Sequence, residues 1–138
     1  MVRLLVGKKG SGKTKMMLDM ANAEIGTTDG NIVFITKDSR LMHDLKYQIR
    51  VVSMEDYPHI TNSDEYIGFI YGIISGDHDL ATIYIDGILK HADFSKADVP
   101  AYLRRLKAIS QLHEVDFVVS LSLDRDELDL SEFEILND

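Results

Sequence analysis

The residues Gly7-Lys8-Lys9-Gly10-Ser11-Gly12-Lys13-Thr14 follow directly on the apolar run Val2, Leu4, Leu5, Val6 and lead into a stretch with helical spacing, Met17, Leu18, Ala21 and Ile25. A buried strand, a glycine-rich turn and an amphipathic helix in that order satisfy G-x-x-x-x-G-K-[ST], the Walker A pattern, in the context it requires. The glycines let the main chain curl so that successive N–H groups converge on one point, a concavity that suits phosphate oxygens. The helix starting near Lys13 adds its unpaired N–H groups and its dipole to the same spot. In this pattern Lys13 reaches the β- and γ-phosphates and the Thr14 hydroxyl sits on Mg²⁺, while the backbone of Lys8, Lys9 and Ser11 completes the cradle. A dinucleotide-binding reading fails on spacing, because Lys15 stands where the third glycine of G-x-G-x-x-G belongs.

A chain of 138 residues fits a single domain, 1 to 138, and is long enough to bury a core without disulfides or metal. It has no cysteine, which removes thiol catalysis and any Cys-based zinc site. No segment approaches the roughly 18 uninterrupted apolar residues of a membrane span, and a core strand stands where a signal peptide would be, so a cytoplasmic protein is expected. The net charge of −8 is unevenly placed: residues 1 to 60 carry nine Lys/Arg against seven Asp/Glu, and residues 61 to 138 carry six against sixteen. Between Asp124 and Asp138 stand seven carboxylates and one arginine, a tail that repels polyanions. The basic cluster Arg3, Lys8, Lys9, Lys13 and Lys15 belongs to the loop and its flank, so the charge argues for phosphate and against direct nucleic-acid binding.

The pattern along the chain predicts strands at Val2–Val6, Ile32–Ile35, Ile49–Ser53, Thr82–Asp86 and Phe117–Leu121, alternating with helices at Lys13–Ile25, Leu41–Tyr47, Asn62–Ser75 and Asp98–His113. Met16, Met17 and Met20 read as helix packing rather than as a soft-metal site. The apolar residues of 66–74 run nearly all the way round that helix, so it is either deeply buried or part of a subunit contact. Residues 124–138 form either a final edge strand or a docked tail. Strands nearly continuous in apolar residues and separated by helices predict a three-layer α/β/α domain with a mostly parallel sheet.

Ligands of such sheets bind at the edge where the strand C-termini point. Asp86 ends the run Ile83-Tyr84-Ile85 on that edge, the form of a Walker B carboxylate that holds Mg²⁺. With Gly7 to Thr14 and Ile83 to Asp86 together, the chain resembles the P-loop NTPase superfamily over nearly its whole length. More narrowly, its opening, the Asp86-Gly87 pair and the acidic end are similar to small, largely uncharacterised bacterial ATP-binding proteins. Some of these carry a twitching-motility label by analogy with the retraction ATPases of type IV pili. This chain is far shorter than a pilus motor, so only nucleotide binding carries over.

The resemblance exposes a gap, since RecA-like and AAA-type ATPases usually place a glutamate directly after the Walker B aspartate and here that position is Gly87. Asp38 sits where many small-molecule kinases of this fold keep a substrate-binding or general-base aspartate, and it equally suits a helix cap before Leu41. Ser120 and Ser122, near the end of the last core strand, stand where RecA-like ATPases often hold a polar side chain close to the γ-phosphate, a role assigned to Ser120; Asp124 and Glu55 are weaker candidates. Arg40, Arg50, Arg104, Arg105 and Arg125 are the cations available for transition-state charge, Arg104 and Arg105 as trans-acting fingers in an oligomer. The five histidines show no metal-ligand spacing.

The expected function is binding of a Mg²⁺-bound nucleoside triphosphate, ATP by default because N-K-x-D is absent, with slow or partner-dependent hydrolysis. The protein would act as a switch or an assembling ATPase with a protein partner or a second copy. Two alternatives are a small-molecule kinase using Asp38, for which the 87–97 segment offers only Lys90 and Lys96 as lid cations, and a non-catalytic nucleotide-binding module. A strand inserted between those bearing the phosphate loop and Asp86, with Val118–Leu121 in the middle, marks the RecA/ASCE-like order expected here; adjacency would favour kinases and GTPases.

Overall fold

The computed structural model describes residues 1–91 and 95–137. Strands β1 (Val2–Gly7), β2 (Asn31–Thr36), β3 (Arg50–Ser53), β4 (Leu80–Ile85), β5 (Asp116–Ser122) and β6 (Glu134–Ile135) form one sheet in the order β3-β2-β4-β5-β1-β6, every neighbouring pair parallel. Helices α1 (Lys13–Glu24), α2 (Ser63–Ser75), α3 (Ile88–His91) and α4 (Val99–His113) occupy the connections. Because side chains alternate along a strand, each strand feeds two cores. On one face Leu5, Phe34, Tyr84 and Val118 pack on Met17 and Ala21 of α1. On the other, Leu4, Ile83 and Val119 join Tyr66 and Ile70 of α2 and Tyr102 and Leu106 of α4. The result is an α/β domain with helices on both faces of a parallel sheet, and β5 lies between β1 and β4.

Helix α1 is fastened to β4 as well as packed on it. At its C-terminal end the Glu24 carboxylate accepts from the Thr82 hydroxyl at 2.5 Å and the Tyr84 hydroxyl at 2.6 Å. Burial and the neighbouring Glu24 carboxylate push the Tyr84 phenol well above its ordinary range.

The apolar residues of α2 that circle the helix in sequence are mostly absorbed by the core: Tyr66, Ile67, Ile70, Ile73 and Ile74 are buried, and Tyr71 is left exposed. Its start is capped by Asn62, whose side chain accepts from the Glu65 N–H at 2.9 Å. Glu65 reaches back one residue further than a capping box requires, accepting from the N–H and hydroxyl of Thr61 at 2.8 and 2.9 Å.

Two expectations are revised, and one pair of alternatives is decided. The helix sought at Leu41–Tyr47 is a 3-10 turn over Ser39–Asp44, too short and too polar to bury a face, and Tyr47 stands in solvent. Met16 is exposed, while Met17 is buried and Met20 packs half-buried against the same core, so packing holds for two of the three. Of the edge-strand and docked-tail alternatives for the acidic end, the edge strand forms over two residues, β6, which pairs Glu134 and Ile135 with Arg3 and Leu4. The Asn137 amide extends this pairing, accepting from the Val6 N–H at 3.0 Å and donating to the Val6 carbonyl at 2.8 Å. The lid segment sought over 87–97 falls partly outside the described residues, as does the last carboxylate of the tail, Asp138.

Candidate functional site

All five long strands end on one edge, and the segments after β1, β2, β4 and β5 surround an open cavity of about 530 Å³ there. That volume lies within the roughly 300–1,000 Å³ of small-ligand pockets. Lys9, Gly10, Gly12, Lys13 and Thr14 line one side, Asp86 and Gly87 the floor, and Lys37, Asp38 and Arg40 the opposite side.

The turn from Gly7 to Thr14 is shaped by its own main chain, the Ser11 N–H donating to the Lys8 carbonyl at 3.1 Å. Gly10 and Gly12 adopt φ of 86° and 88°, left-handed backbone that side-chain-bearing residues enter only at a cost. At Gly7 a Cβ would meet the Ser11 Oγ at 2.6 Å, so a side chain there would make the Ser11 side chain shift. Lys13 is only 6% exposed, and its Nζ donates to the carbonyls of Gly7 and Lys8 at 2.9 and 3.0 Å and to the Ser11 Oγ at 3.3 Å. The loop therefore wraps its own ammonium group at the start of α1, the end of a helix where anions are favoured.

Asp86 follows β4 and is anchored by its N–H, which donates to the Ile35 carbonyl at 2.9 Å. Its carboxylate accepts from the Thr14 hydroxyl at 3.0 Å and from the Ser120 hydroxyl at 2.7 Å. Ser120 in turn accepts from the Gly87 N–H at 2.9 Å. Ser120 is 1% exposed and lies beneath the cavity, so its proton is committed to Asp86; the serine that lines the cavity from the same strand is Ser122. Gly87, where a catalytic glutamate was sought, has φ of 73°.

Asp38 takes the capping alternative. Its carboxylate accepts from the Arg40 N–H at 3.0 Å and from the Arg40 Nε at 3.0 and 2.9 Å, and these bonds hold its pKa below the usual carboxylate value. A carboxylate so engaged is a weak proton acceptor. The other candidates are remote or occupied: Arg104 pairs with Glu132, Arg105 with Asp64, and Asp124 caps the 3-10 turn Arg125–Glu127. Glu55 is exposed just past β3 and is not among the residues that line the cavity. Among the described residues no group of three or more His, Cys, Asp or Glu is arranged to hold a metal ion, and no helix is long and apolar enough to cross a membrane.

Sequence reasoning found the loop, Asp86, Asp38 and the Ser120/Ser122 pair as members of one edge, favouring Ser120 where the cavity is lined by Ser122, but missed Thr36 and Lys37 as cavity walls. Their signal was available, since each lies at or just past a strand C-terminus. No protein-family model matches the chain, and no curated protein matches it significantly.

Proposed function

We propose that this chain is a P-loop nucleotide-binding domain that takes a Mg²⁺-bound nucleoside triphosphate, ATP by default, into the cavity between the Gly7–Thr14 turn and Asp86. The observation that carries the reading is the Thr14–Asp86 contact at 3.0 Å, in which two motifs 72 positions apart meet beside the buried Lys13. A hydroxyl and a single carboxylate are hard oxygen donors suited to a cation that keeps several of its waters. When bound, Mg²⁺ would neutralise charge on the outer phosphate oxygens. The loop amides and Lys13 bind the phosphates, Thr14 and Asp86 hold the metal, and Ser120 is a positioning residue for Asp86. The insertion of β5 between β1 and β4 supports the RecA/ASCE-like branch over kinases and GTPases.

Turnover is slow. Phosphoryl transfer depends on a positioned water and on charge stabilisation. Here the residue after Asp86 is a left-handed glycine, the Ser120 proton is engaged, and Asp38 is tied to Arg40. These same bonds weigh against a kinase that uses Asp38 as base. The domain thus serves as a nucleotide-dependent switch or assembly unit in the cytoplasm, with a partner protein or second copy accelerating hydrolysis. Calorimetric titration with ATP, GTP and ADP, with and without Mg²⁺, tests this: binding should be saturable, Mg²⁺-dependent and lost in Lys13→Ala, with phosphate release rising at high protein concentration. Unchanged ATP affinity in Lys13→Ala would remove the proposal.

A further inference from the structure

We infer that Asp38 and Arg40 form a tethered cation that recognises the terminal phosphoryl group, making Arg40 the residue by which this site separates a nucleoside triphosphate from a diphosphate; this rests on the nucleotide-binding reading above. Strand β2 neighbours β4, and Asp86 is bonded directly to the end of β2 through the Ile35 carbonyl. The segment carrying Lys37, Asp38 and Arg40 therefore leaves the sheet one strand spacing, about 4.8 Å, from the metal-binding carboxylate. The phosphate loop is on the other side of Asp86, two strands away. A polyphosphate running from the loop past Thr14 and Asp86 would present its outermost group to this wall.

The chemistry of the pair fits that task. Asp38 engages Arg40 through Nε and the main-chain N–H, while Arg40 makes no further ion pair among the described residues and its side chain is 75% exposed. Both Nη groups thus remain for a ligand, and a guanidinium held at Nε presents them as a fork matched to phosphate oxygens. The charged residues that line the cavity are Lys9, Lys13, Lys37 and Arg40 against Asp38 and Asp86. The surplus of two positive charges matches the roughly two negative charges of a Mg²⁺-bound triphosphate; a diphosphate complex, with about one, needs no Arg40.

The test compares dissociation constants for Mg²⁺-ADP and for a non-hydrolysable β,γ-imido analogue of Mg²⁺-ATP in the wild type and in Arg40→Ala, Arg40→Lys and Lys37→Ala, with circular dichroism to verify folding. Arg40→Ala should weaken the triphosphate roughly tenfold and the diphosphate less than about twofold, the size of one charge-assisted contact discounted for exposure. Arg40→Lys should recover little, because an ammonium cannot grip Asp38 and offer a fork at once. Equal weakening of both nucleotides, no change in either, or a selective loss in Lys37→Ala would overturn the assignment while leaving nucleotide binding intact. A wild type that binds neither nucleotide would remove the functional reading and this assignment together.

Discussion

Replacing Lys13 by methionine should separate two tasks of one ammonium group. In the free chain that group donates to the Gly7 and Lys8 carbonyls, bonds that with a charged donor are worth about 1.5–3 kcal/mol each when nothing replaces them. Here something does. The Gly7 carbonyl also accepts from the Leu123 N–H and the Lys8 carbonyl from the Ser11 N–H, both at 3.1 Å, so neither is orphaned by the change. Methionine fills a similar volume and avoids desolvating a charge, which itself costs several kcal/mol. The stability of the free protein should therefore move by no more than about 1 kcal/mol in either direction. Ligand binding has no such substitute, and losing about 3 kcal/mol of phosphate contact weakens it roughly 100-fold. At a nucleotide concentration 100 times the wild-type Kd, ligand stabilises the wild type by about 2.7 kcal/mol and the variant by about 0.4 kcal/mol. For a domain of this size that corresponds to a rise in Tm of about 10 °C against less than about 2 °C. Urea unfolding of the free proteins and thermal melts with and without Mg²⁺-ATP measure both halves. Equal ligand-induced shifts would refute the role in binding, and a loss above about 3 kcal/mol in the free protein would refute the hydrogen-bond reasoning.

Three further outcomes follow from the same contacts. Gly87→Glu should lower stability by about 1–2 kcal/mol, because a side chain must enter left-handed backbone, and should not raise phosphate release; faster release at unchanged Tm would contradict this. Asn137→Ala removes both bonds to the Val6 main chain and should cost about 2 kcal/mol, seen as faster hydrogen exchange at the Val6 amide, and unchanged protection there would dismiss the tail as a strand extension. The Glu65 carboxyl is held below its ordinary 4.5 by the Thr61 N–H and hydroxyl, so its contribution is complete above that value and is lost as pH falls through the lower folded value. The stability difference between wild type and Glu65→Gln, from urea midpoints, should accordingly shrink on acidification from about pH 6 to below about pH 4, and a constant difference would contradict the assignment.

What could be read in advance depended on how far each signal was local. Gly7 to Thr14 declares its geometry because the strand, the positive-φ glycines and the helix start are contiguous in the chain. Asp86 was legible through the apolar strand before it, whereas the separation of β1 from β4 by β5 was expected without any residue that encodes it, since position along the chain does not fix a strand's place in a parallel sheet. The tail was ambiguous because its strand has only two residues and its decisive bonds come from the Asn137 side chain acting as a stretch of backbone, which no periodicity encodes. Ser120 was found as a polar group at the right level but not as the support beneath Asp86, since alternation along β5 settles that side chain's direction only once the register with β1 and β4 is known. The Asp38–Arg40 pair is local, yet capping and catalysis demand the same residue type, so composition could not choose between them.

Helix α1 is bolted to β4 at its tip, through Thr14 and Asp86, and at its tail, through Glu24 with Thr82 and Tyr84. In the free chain a rod joined at both ends to a strand two places away in the sheet has little freedom to swing as a lever, and a cation held by Thr14 and Asp86 would keep the tip joined to that strand. The least anchored wall of the cavity is the side carrying the Ser39–Asp44 turn, which buries none of its side chains and leads to the open margin of the sheet at β3. For the proposed switch, that flank, opposite the margin sealed by the tail, is the surface with room to change.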